Sequence, residues 1–318
     1  MTERERFIRA LRRQPLTGHV PHFELEFFLT MEAFGRIHAS QRQYAQWNQM
    51  SRHEQVLHIQ DNADLHIKVA QRYHHSAILI HPAPWEDGAI LDMLKAIRDQ
   101  SGDEYFIMMH GDPTFDIPRG DNMMEFSAML YEEPEEMHRR ARARLDENLR
   151  RAEWMAKYPG LLDGFALCSD YCFNTNPFFS PAIFAEFIAP YLKEGIEAYH
   201  QMGFFAIKHT DGNIMPILEQ IVECGPDALH SLDPQGGVTI PAVREITKGR
   251  LALSGNVNCG LLQTGTEEEC IADVRRALRE GMQEPGYIFS TSNCAYTGLP
   301  LERYELMHRI WWEEGIYA

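Results

Sequence analysis

The sequence predicts an α/β protein, a (β/α)8 TIM barrel with an extra N-terminal helix that occupies residues 1–318 as a single domain. From residue 70 onward short apolar runs alternate with helical patterns, which is typical of a parallel sheet with crossover helices. Eight such units in one chain of this length favour a closed barrel. A doubly wound open sheet is the alternative, but "ELEFFLTMEAFG" after the first apolar run lacks the G-x-G-x-x-G motif expected of that fold.

Local signals predict each element in chain order. The charged stretch "MTERERFIRALRRQ" predicts the extra helix. Apolar runs predict strands at residues 20–27, 76–82, 105–112, 163–170, 204–211, 227–234, 250–257 and 286–293. Helical patterns lie near residues 51–72, 89–100, 134–157, 181–202, 214–223, 239–248, 266–282 and 301–314. Ser180-Pro181 places proline at a first helical position, and Thr266 followed by Glu269 resembles a capping box.

Composition and charge restrict the class of protein. A formal net charge of -16 disfavours nucleic acid and anionic lipid as partners, because a phosphate-binding surface normally shows a basic excess. No segment approaches the roughly 18 apolar residues of a membrane span, and the charged N-terminus does not resemble a secretory signal. The 6 cysteines show no compact paired pattern, which indicates free thiols in a reducing compartment. We therefore expect a cytoplasmic protein.

The ends of the predicted strands are unusually polar. The active site of a (β/α)8 barrel lies at the carboxyl ends of its strands, so these side chains are the candidates for chemistry. They are Glu24, Glu26, His81, His110, Asp112, Ser169, Asp170, His209, Asp211, His230, Asp233, Asn256, Asn258, Asn293 and Cys294.

The first predicted strand divides into an apolar and a polar face. Phe23, Leu25 and Phe27 are predicted to pack on the helices, because side chains alternate along a strand. Glu24 and Glu26 share the opposite face, so we expect both acids in the barrel mouth. Salt bridges or simple exposure at the strand end are the alternatives for these carboxylates.

The stretch "AIKHTDGN" ends the fifth predicted strand and suggests a metal site. His209 and Asp211 point to the same side of an extended strand, and Cys294, just past the eighth strand, can reach the same mouth. Imidazole, carboxylate and thiolate all bind zinc, and a catalytic zinc keeps three protein ligands and an open position. We predict that His209, Asp211 and Cys294 bind zinc. Two alternatives stay open: Asp211 can cap the following helix, and Cys294 can be an inert thiol.

Four stretches carry a family resemblance: "TERERFIRALRRQPLTGHVP", "SPAIFAEFIAPYLKEGIEAYHQMGFFAIKHTDGNIMPILEQIVECGPDALHSLDPQGG", "LALSGNVNCGLLQTGTEEECIADVRRAL" and "GYIFSTSNCAYTGLPLERYELM". They resemble the uroporphyrinogen decarboxylase superfamily over nearly the whole chain. The resemblance implies the barrel fold and one of two chemistries. The first is decarboxylation of uroporphyrinogen without a cofactor, and the second is zinc-dependent methyl transfer to or from a corrinoid carried by a partner protein.

The residues favour the methyltransferase branch of this superfamily. Its decarboxylases carry an arginine-rich F-R-Q-A-G-R type motif that holds the substrate's carboxylates, whereas the corresponding "HFELEFFLTMEAFGR" is acidic and would repel a polyanion. Its methyltransferases bind zinc through an H-x-C motif after strand five and a cysteine after strand eight. This chain has His209 and Cys294 at matching places, but Asp211 stands where the family has a cysteine. The harder ligand set leaves zinc more Lewis-acidic, which suits an ether oxygen better than activation of a thiol.

The resemblance and this departure together imply an enzyme that moves a methyl group from a small methylated, preferably methoxylated, substrate to the corrinoid. In that mechanism Glu26 or Asp170 handles the proton. The residues expected to line the substrate pocket are Glu24, His110, His230, Asn256 and Tyr296. Three other classes stay open, namely a methylcobalamin:thiol methyltransferase, a metal-free decarboxylase or other lyase, and a metal-dependent aldolase-like or purely binding barrel.

Overall fold

The computed structural model describes residues 1–42 and 46–317. The α-helices are α1 Glu3–Leu11, α2 Thr30–Phe34, α3 Arg52–Tyr73, α4 Asp87–Ser101, α5 Met123–Glu132, α6 Pro134–Met155, α7 Pro181–Phe187, α8 Ala189–Gln201, α9 Leu218–Glu223, α10 Ile240–Thr247, α11 Cys259–Thr264, α12 Glu267–Gly281 and α13 Leu301–Glu314. The strands are β1 Gly18–His19, β2 Ala77–Leu79, β3 Phe106–His110, β4 Gly164–Leu167, β5 Phe205–His209, β6 Ala228–His230, β7 Ala252–Ser254, β8 Tyr287–Ile288 and β9 Ile316–Tyr317. Short 3-10 helices lie at Ala39–Gln41, Trp47–Gln49, Gly120–Asn122, Met215–Ile217 and Pro234–Gly236.

The sheet closes into the predicted (β/α)8 barrel. Strands β2 to β8 are parallel neighbours in sequence order. The eighth position is held by the segment around His22, which makes parallel bridges both to His75 beside β2 and to Phe289 beside β8. The predicted strand 20–27 is therefore present as isolated bridges, because the chain bends at Leu25. Strands β1 and β9 form a separate antiparallel pair.

The predicted helices all correspond to helices in the structure, with one break. The pattern at residues 181–202 divides into α7 and α8 at Ile188, because Pro190 cannot continue a helix from the preceding turn. Thr266 and Glu269 form the predicted capping box of α12, and the Ser180 hydroxyl accepts a hydrogen bond from the backbone of α7. The short helices α2, α5 and α11 were not predicted.

Alternate strand residues divide into an interior and an outer apolar cluster. Ala77, Leu79, Phe106 and Met108 pack in the interior cluster with one face of α1, whereas the intervening strand residues pack with the other helices. Phe23 and Leu25 also belong to the interior cluster. The prediction that they face the helical shell is therefore wrong, and the bend at Leu25 breaks the simple alternation on which it rested.

Helix α1 covers the amino ends of the strands and leaves the carboxyl ends open. Arg4 at its start donates a backbone hydrogen bond to Glu104 just before β3, and its guanidinium lies 2.6 Å from Asp163 just before β4. Each of the cysteines is a free thiol, as predicted. Within the described residues none of the helices has both the length and the apolar character needed to cross a membrane.

A buried lysine joins the carboxyl ends of three neighbouring strands. Lys208 of β5 is 0% exposed, and its ammonium donates to Asp112 Oδ2 at 2.8 Å, to Leu167 O at 3.1 Å and to Ser169 O at 2.7 Å. Burial alone raises the pKa of Asp112, but the Lys208 charge and hydrogen bond outweigh it, so the pKa is lowered overall. All three donor positions of the ammonium are satisfied, which fixes β3, β4 and β5 relative to one another.

We expect Lys208→Met to lower the free energy of unfolding by about 3–5 kcal/mol, because the Asp112 carboxylate stays buried without its cation. Urea denaturation followed by circular dichroism measures the effect. Lys193→Met, on the exposed face of α8, is the matched control and should stay within about 0.5 kcal/mol of wild type. Equal effects of the two substitutions would contradict the structural role of Lys208.

Candidate metal centre

Three side chains converge where β4 and β5 end. Asp170, His209 and Asp211 each offer a ligand atom, and these atoms all lie within 4.8 Å of one another. His209 Nε2 is 3.8 Å from Asp170 Oδ1 and 3.8 Å from Asp211 Oδ1, which is too long for a hydrogen bond. Two ligands about 2.1 Å from a tetrahedral ion lie roughly 3.4 Å apart, so the spacing is close to that of ligands sharing one ion.

A chain of hydrogen bonds sets the tautomer of His209. His230 Nε2 lies 3.2 Å from the Thr291 carbonyl, which can only accept, so Nε2 carries the proton of His230. His230 is fully buried and burial holds its pKa well below the usual value, so its Nδ1 is unprotonated. His209 Nδ1 is 2.8 Å from that nitrogen and must donate to it. His209 Nε2 therefore faces the two carboxylates, and in the neutral ring it would offer a lone pair to a divalent cation.

Hydrogen bonds to both carboxylate oxygens orient Asp211, and its side chain does not cap a helix. Its Oδ1 accepts from Ser231 Oγ at 2.7 Å, and its Oδ2 accepts from the Asn293 amide. The next 3-10 helix begins after Ile214 without a side-chain cap, which excludes the capping alternative. Burial raises the pKa of Asp211, and the charge of Asp170 adds to the rise while His209 opposes it. A cation between these groups would offset the cost of burying the charge.

Cys294 is not one of the three side chains whose ligand atoms converge here, so the structure offers a different candidate ligand set from the predicted one. Asp170, which was predicted to handle a proton, takes the third place. The chain bends at Ser292 and Asn293 after β8, and the bend presents the Asn293 amide to Asp211. Burial raises the pKa of the Cys294 thiol well above its ordinary value.

Glu26 lies at the barrel mouth, as predicted, beside two imidazoles. Its Oε1 is 3.1 Å from His81 Nε2 and 3.8 Å from His110 Nε2. Burial raises the pKa of Glu26, but the hydrogen bond from His81 and the nearby imidazoles outweigh it, so the pKa is lowered overall. Burial lowers the pKa of His110 to about 4. Glu26 is thus a carboxylate and His110 a neutral imidazole.

A cavity of about 370 Å³ opens beside this pair. Its lining includes His110, as predicted, together with Trp85, Asp112, Arg144, Arg151 and Ser169. The two arginines were not found from the sequence, although their spacing of seven places them on one face of α6. The volume is that of a site for a small molecule.

The other predicted pocket residues have different positions. His230 and Asn256 are fully buried, and the Asn256 amide donates to Leu232 O at 2.8 Å. The Tyr296 hydroxyl donates to Gln263 Oε1 at 2.8 Å. The position of His230 at the end of the sixth predicted strand made it a candidate, but could not show that its ring is buried against His209.

Glu24 is also buried instead of open to the mouth. It is 4% exposed, and its carboxyl accepts from the Thr291 backbone at 3.2 Å and from the Thr291 hydroxyl. Burial raises the pKa of Glu24 to about 8, although the hydrogen bonds from Thr291 lower it in part.

These features define a class of protein: a (β/α)8 barrel with a candidate divalent metal centre at the carboxyl ends of its strands. A family model described as uroporphyrinogen decarboxylase (URO-D) matches residues 117–311, which is more than half of the chain. The chain belongs to the uroporphyrinogen decarboxylase family.

Comparison with solved structures finds one that shares the fold and another that is less similar. A methyltransferase from Methanosarcina mazei is similar with a TM-score of 0.74 and 16% sequence identity, over 98% of this chain and 99% of that chain. A D-psicose 3-epimerase with D-tagatose from Clostridium cellulolyticum H10 has a TM-score of 0.45 and 11% identity, over 80% and 91% of the two chains. The comparison with curated protein sequences gives no match.

The pKa of Glu24 predicts a pH-dependent stability. In the folded protein this carboxyl stays protonated up to about pH 8, whereas its ordinary pKa is 4.5. Its contribution to stability is therefore complete below pH 4.5 and is lost as the pH rises to about 8. We expect Glu24→Gln to reduce this decline, measured by urea denaturation at several pH values across that range. Glu132→Gln on exposed α5 should keep the wild-type slope, and a wild-type slope in Glu24→Gln would contradict the assignment.

Proposed function

We propose that this protein is a methyltransferase that removes a methyl group from a small methylated substrate, preferably a methoxylated one, and passes it to a corrinoid carried by a partner protein. Zinc bound by His209, Asp211 and Asp170 would serve the reaction. The observation that carries the proposal is the convergence of His209 Nε2 with two carboxylates at the barrel mouth, at 3.8 Å from each. The similar fold of the Methanosarcina mazei methyltransferase supports the same branch of the family.

The proposed ligands His209, Asp211 and Asp170 suit a zinc ion that acts as a Lewis acid. When bound, zinc polarises the heteroatom that carries the methyl group and stabilises the charge that develops there on methyl loss. The two carboxylates are harder ligands than thiolates, and this favours an oxygen-bound methyl group over a thiol acceptor. Ser231 and Asn293 hold Asp211 through both of its oxygens, so the ligand geometry is fixed in advance.

Glu26 and His110 are placed to handle the proton. The Glu26 carboxylate lies behind His110, and His110 lines the cavity in which a small substrate fits. A proton on the leaving heteroatom can pass to His110 or come from it, while Glu26 stabilises the charged imidazole. This leaves Asp170 free for the metal.

A lyase remains a second candidate. The family description names a decarboxylase, and Arg144 and Arg151 in the cavity wall can bind a substrate carboxylate. Against it, the same wall contains Asp112, Asp116 and Glu147, so the cavity is not the cationic surface that a polycarboxylate requires.

The ligand set predicts which substitutions release zinc. We expect Asp170→Asn and His209→Gln each to lose one zinc ion per chain relative to wild type, because each removes one of three ligands. Cys294→Ser should retain the wild-type zinc content. Elemental analysis of purified, folded variants measures this. Loss of zinc from Cys294→Ser with retention in Asp170→Asn would show that the thiol, and not Asp170, is the third ligand.

The role of Glu26 is tested by turnover. With a panel of small methyl ethers and free reduced cobalamin as acceptor, we expect Glu26→Gln to lower the rate by about 10²-fold, because the charged form of His110 loses the carboxylate that stabilises it during general acid–base catalysis. Glu32→Gln, at an exposed position in α2, should leave the rate unchanged. Absence of methyl transfer, together with consumption of uroporphyrinogen by metal-free protein, would overturn the proposal in favour of the decarboxylase.

A further inference from the structure

Three histidines outside the candidate metal centre meet beside the barrel wall. His38 precedes a 3-10 helix, His66 lies in α3 and His81 follows β2. One ring nitrogen of each lies within 4.8 Å of the others. Their side chains are buried, with 5%, 9% and 8% exposure respectively. The sequence gives no signal for this cluster, because the three residues come from unrelated segments.

Two of the imidazoles present buried lone pairs without any partner. His66 Nδ1 is 2.9 Å from the Asn62 carbonyl and must donate to it, so His66 Nε2 is an acceptor, and it has no hydrogen-bond partner. His81 Nε2 is 3.1 Å from the Glu26 carboxylate and donates to it; in the neutral ring His81 Nδ1 is therefore an acceptor as well, and it has no hydrogen-bond partner. Two acceptors cannot hydrogen-bond to each other, and burying both without a donor costs free energy of folding.

The surroundings favour a ligand that accepts electron pairs. A cavity of about 40 Å³ adjoins the three imidazoles, which is enough room for one water molecule beside an ion. His38 Nδ1 lies 2.8 Å from Ser40 Oγ and accepts from the Ser40 backbone N–H at 3.3 Å, so the proton of the neutral ring lies on the other nitrogen, which faces the cluster. Metal binding at that nitrogen would move the proton to Nδ1, where Ser40 Oγ can accept it.

We propose that His38, His66 and His81 form a second metal site that binds one transition-metal ion of the zinc class through three imidazole nitrogens. Three neutral nitrogen ligands suit zinc, copper, iron or nickel, whereas magnesium, calcium and manganese prefer oxygen. A water molecule in the cavity completes a tetrahedral set. The inference does not rest on the proposed methyl transfer.

The site has a consequence for the barrel mouth. A metal on His81 Nδ1 fixes the proton on Nε2, and that proton is donated to Glu26. The second ion would thus position the Glu26 carboxylate without contacting the substrate. His81 is accordingly a positioning residue, and the His38 and His66 rings act through it.

The test is the zinc stoichiometry of chelator-treated protein, titrated with Zn²⁺ in a calorimeter. Wild type should bind two ions per chain, and His66→Gln and His209→Gln one each. The double variant should bind none. His53→Gln, an exposed histidine of the same helix α3, is the matched control and should bind two. Thermal melts followed by circular dichroism establish that each variant is folded.

The outcomes separate this inference from the proposed function. One ion in wild type, lost in His66→Gln and retained in His209→Gln, supports the second site and overturns the metal centre at His209. One ion that is lost only in His209→Gln overturns the second site and shows that water fills the cluster. If His66→Gln does not fold, X-ray absorption at the zinc edge of the His209→Gln variant is measured instead. The spectrum is expected to show zinc bound by three imidazoles. Absence of bound zinc in this variant would refute the second site.

Discussion

The ammonium group of Lys208 is the constraint on which the geometry of the barrel mouth depends. Parallel strands in a barrel are held by backbone hydrogen bonds, and β3, β4 and β5 end at His110, Leu167 and His209. Few backbone hydrogen bonds follow, such as those donated by Gly111 and Thr210, so side chains help to set the course of the chain beyond the strands. Lys208 bonds to the segment after β3 and to two carbonyls at the end of β4. As a result Asp170 lies next to His209, which follows Lys208 on β5.

The charges at the mouth explain why so many histidines surround it. Glu26, Asp170 and Asp211 lie in a partly dehydrated region, where uncompensated carboxylates would repel one another. Neutral imidazoles lower this cost only by donating hydrogen bonds, as His81 does to Glu26. His209 Nε2 is 3.8 Å from both Asp170 and Asp211, too far to donate a hydrogen bond, so this second group lacks a donor of that kind. At the proposed metal centre a divalent ion would supply the positive charge.

Much of the fold could be predicted from the sequence because it depends on local periodicity. The strands β2 to β8 and their helices follow from apolar runs and caps, as at Thr266. The position of Glu24 could not be predicted in this way, since the bend at Leu25 depends on bridges to Phe289 and Ala295 far along the chain. The same limit applies to the third member of the candidate metal centre. Strand parity placed His209 and Asp211 on one side, and their ligand atoms do lie together, but only the tertiary structure shows that Asp170 joins them and that the Asn293 amide donates to Asp211.

His81 connects the two histidine-containing regions of the mouth. One of its nitrogens is directed to Glu26 and the other to His38 and His66, so a proton cannot occupy both positions of the neutral ring. If Nδ1 were protonated, Glu26 would lose its donor and the pKa of its carboxyl would rise toward the value that burial favours. Any ligand that takes the Nδ1 lone pair excludes that state. With a metal on the proposed second site, the hydrogen bond from His81 to Glu26 would be maintained by His38 and His66, which do not line the cavity beside His110.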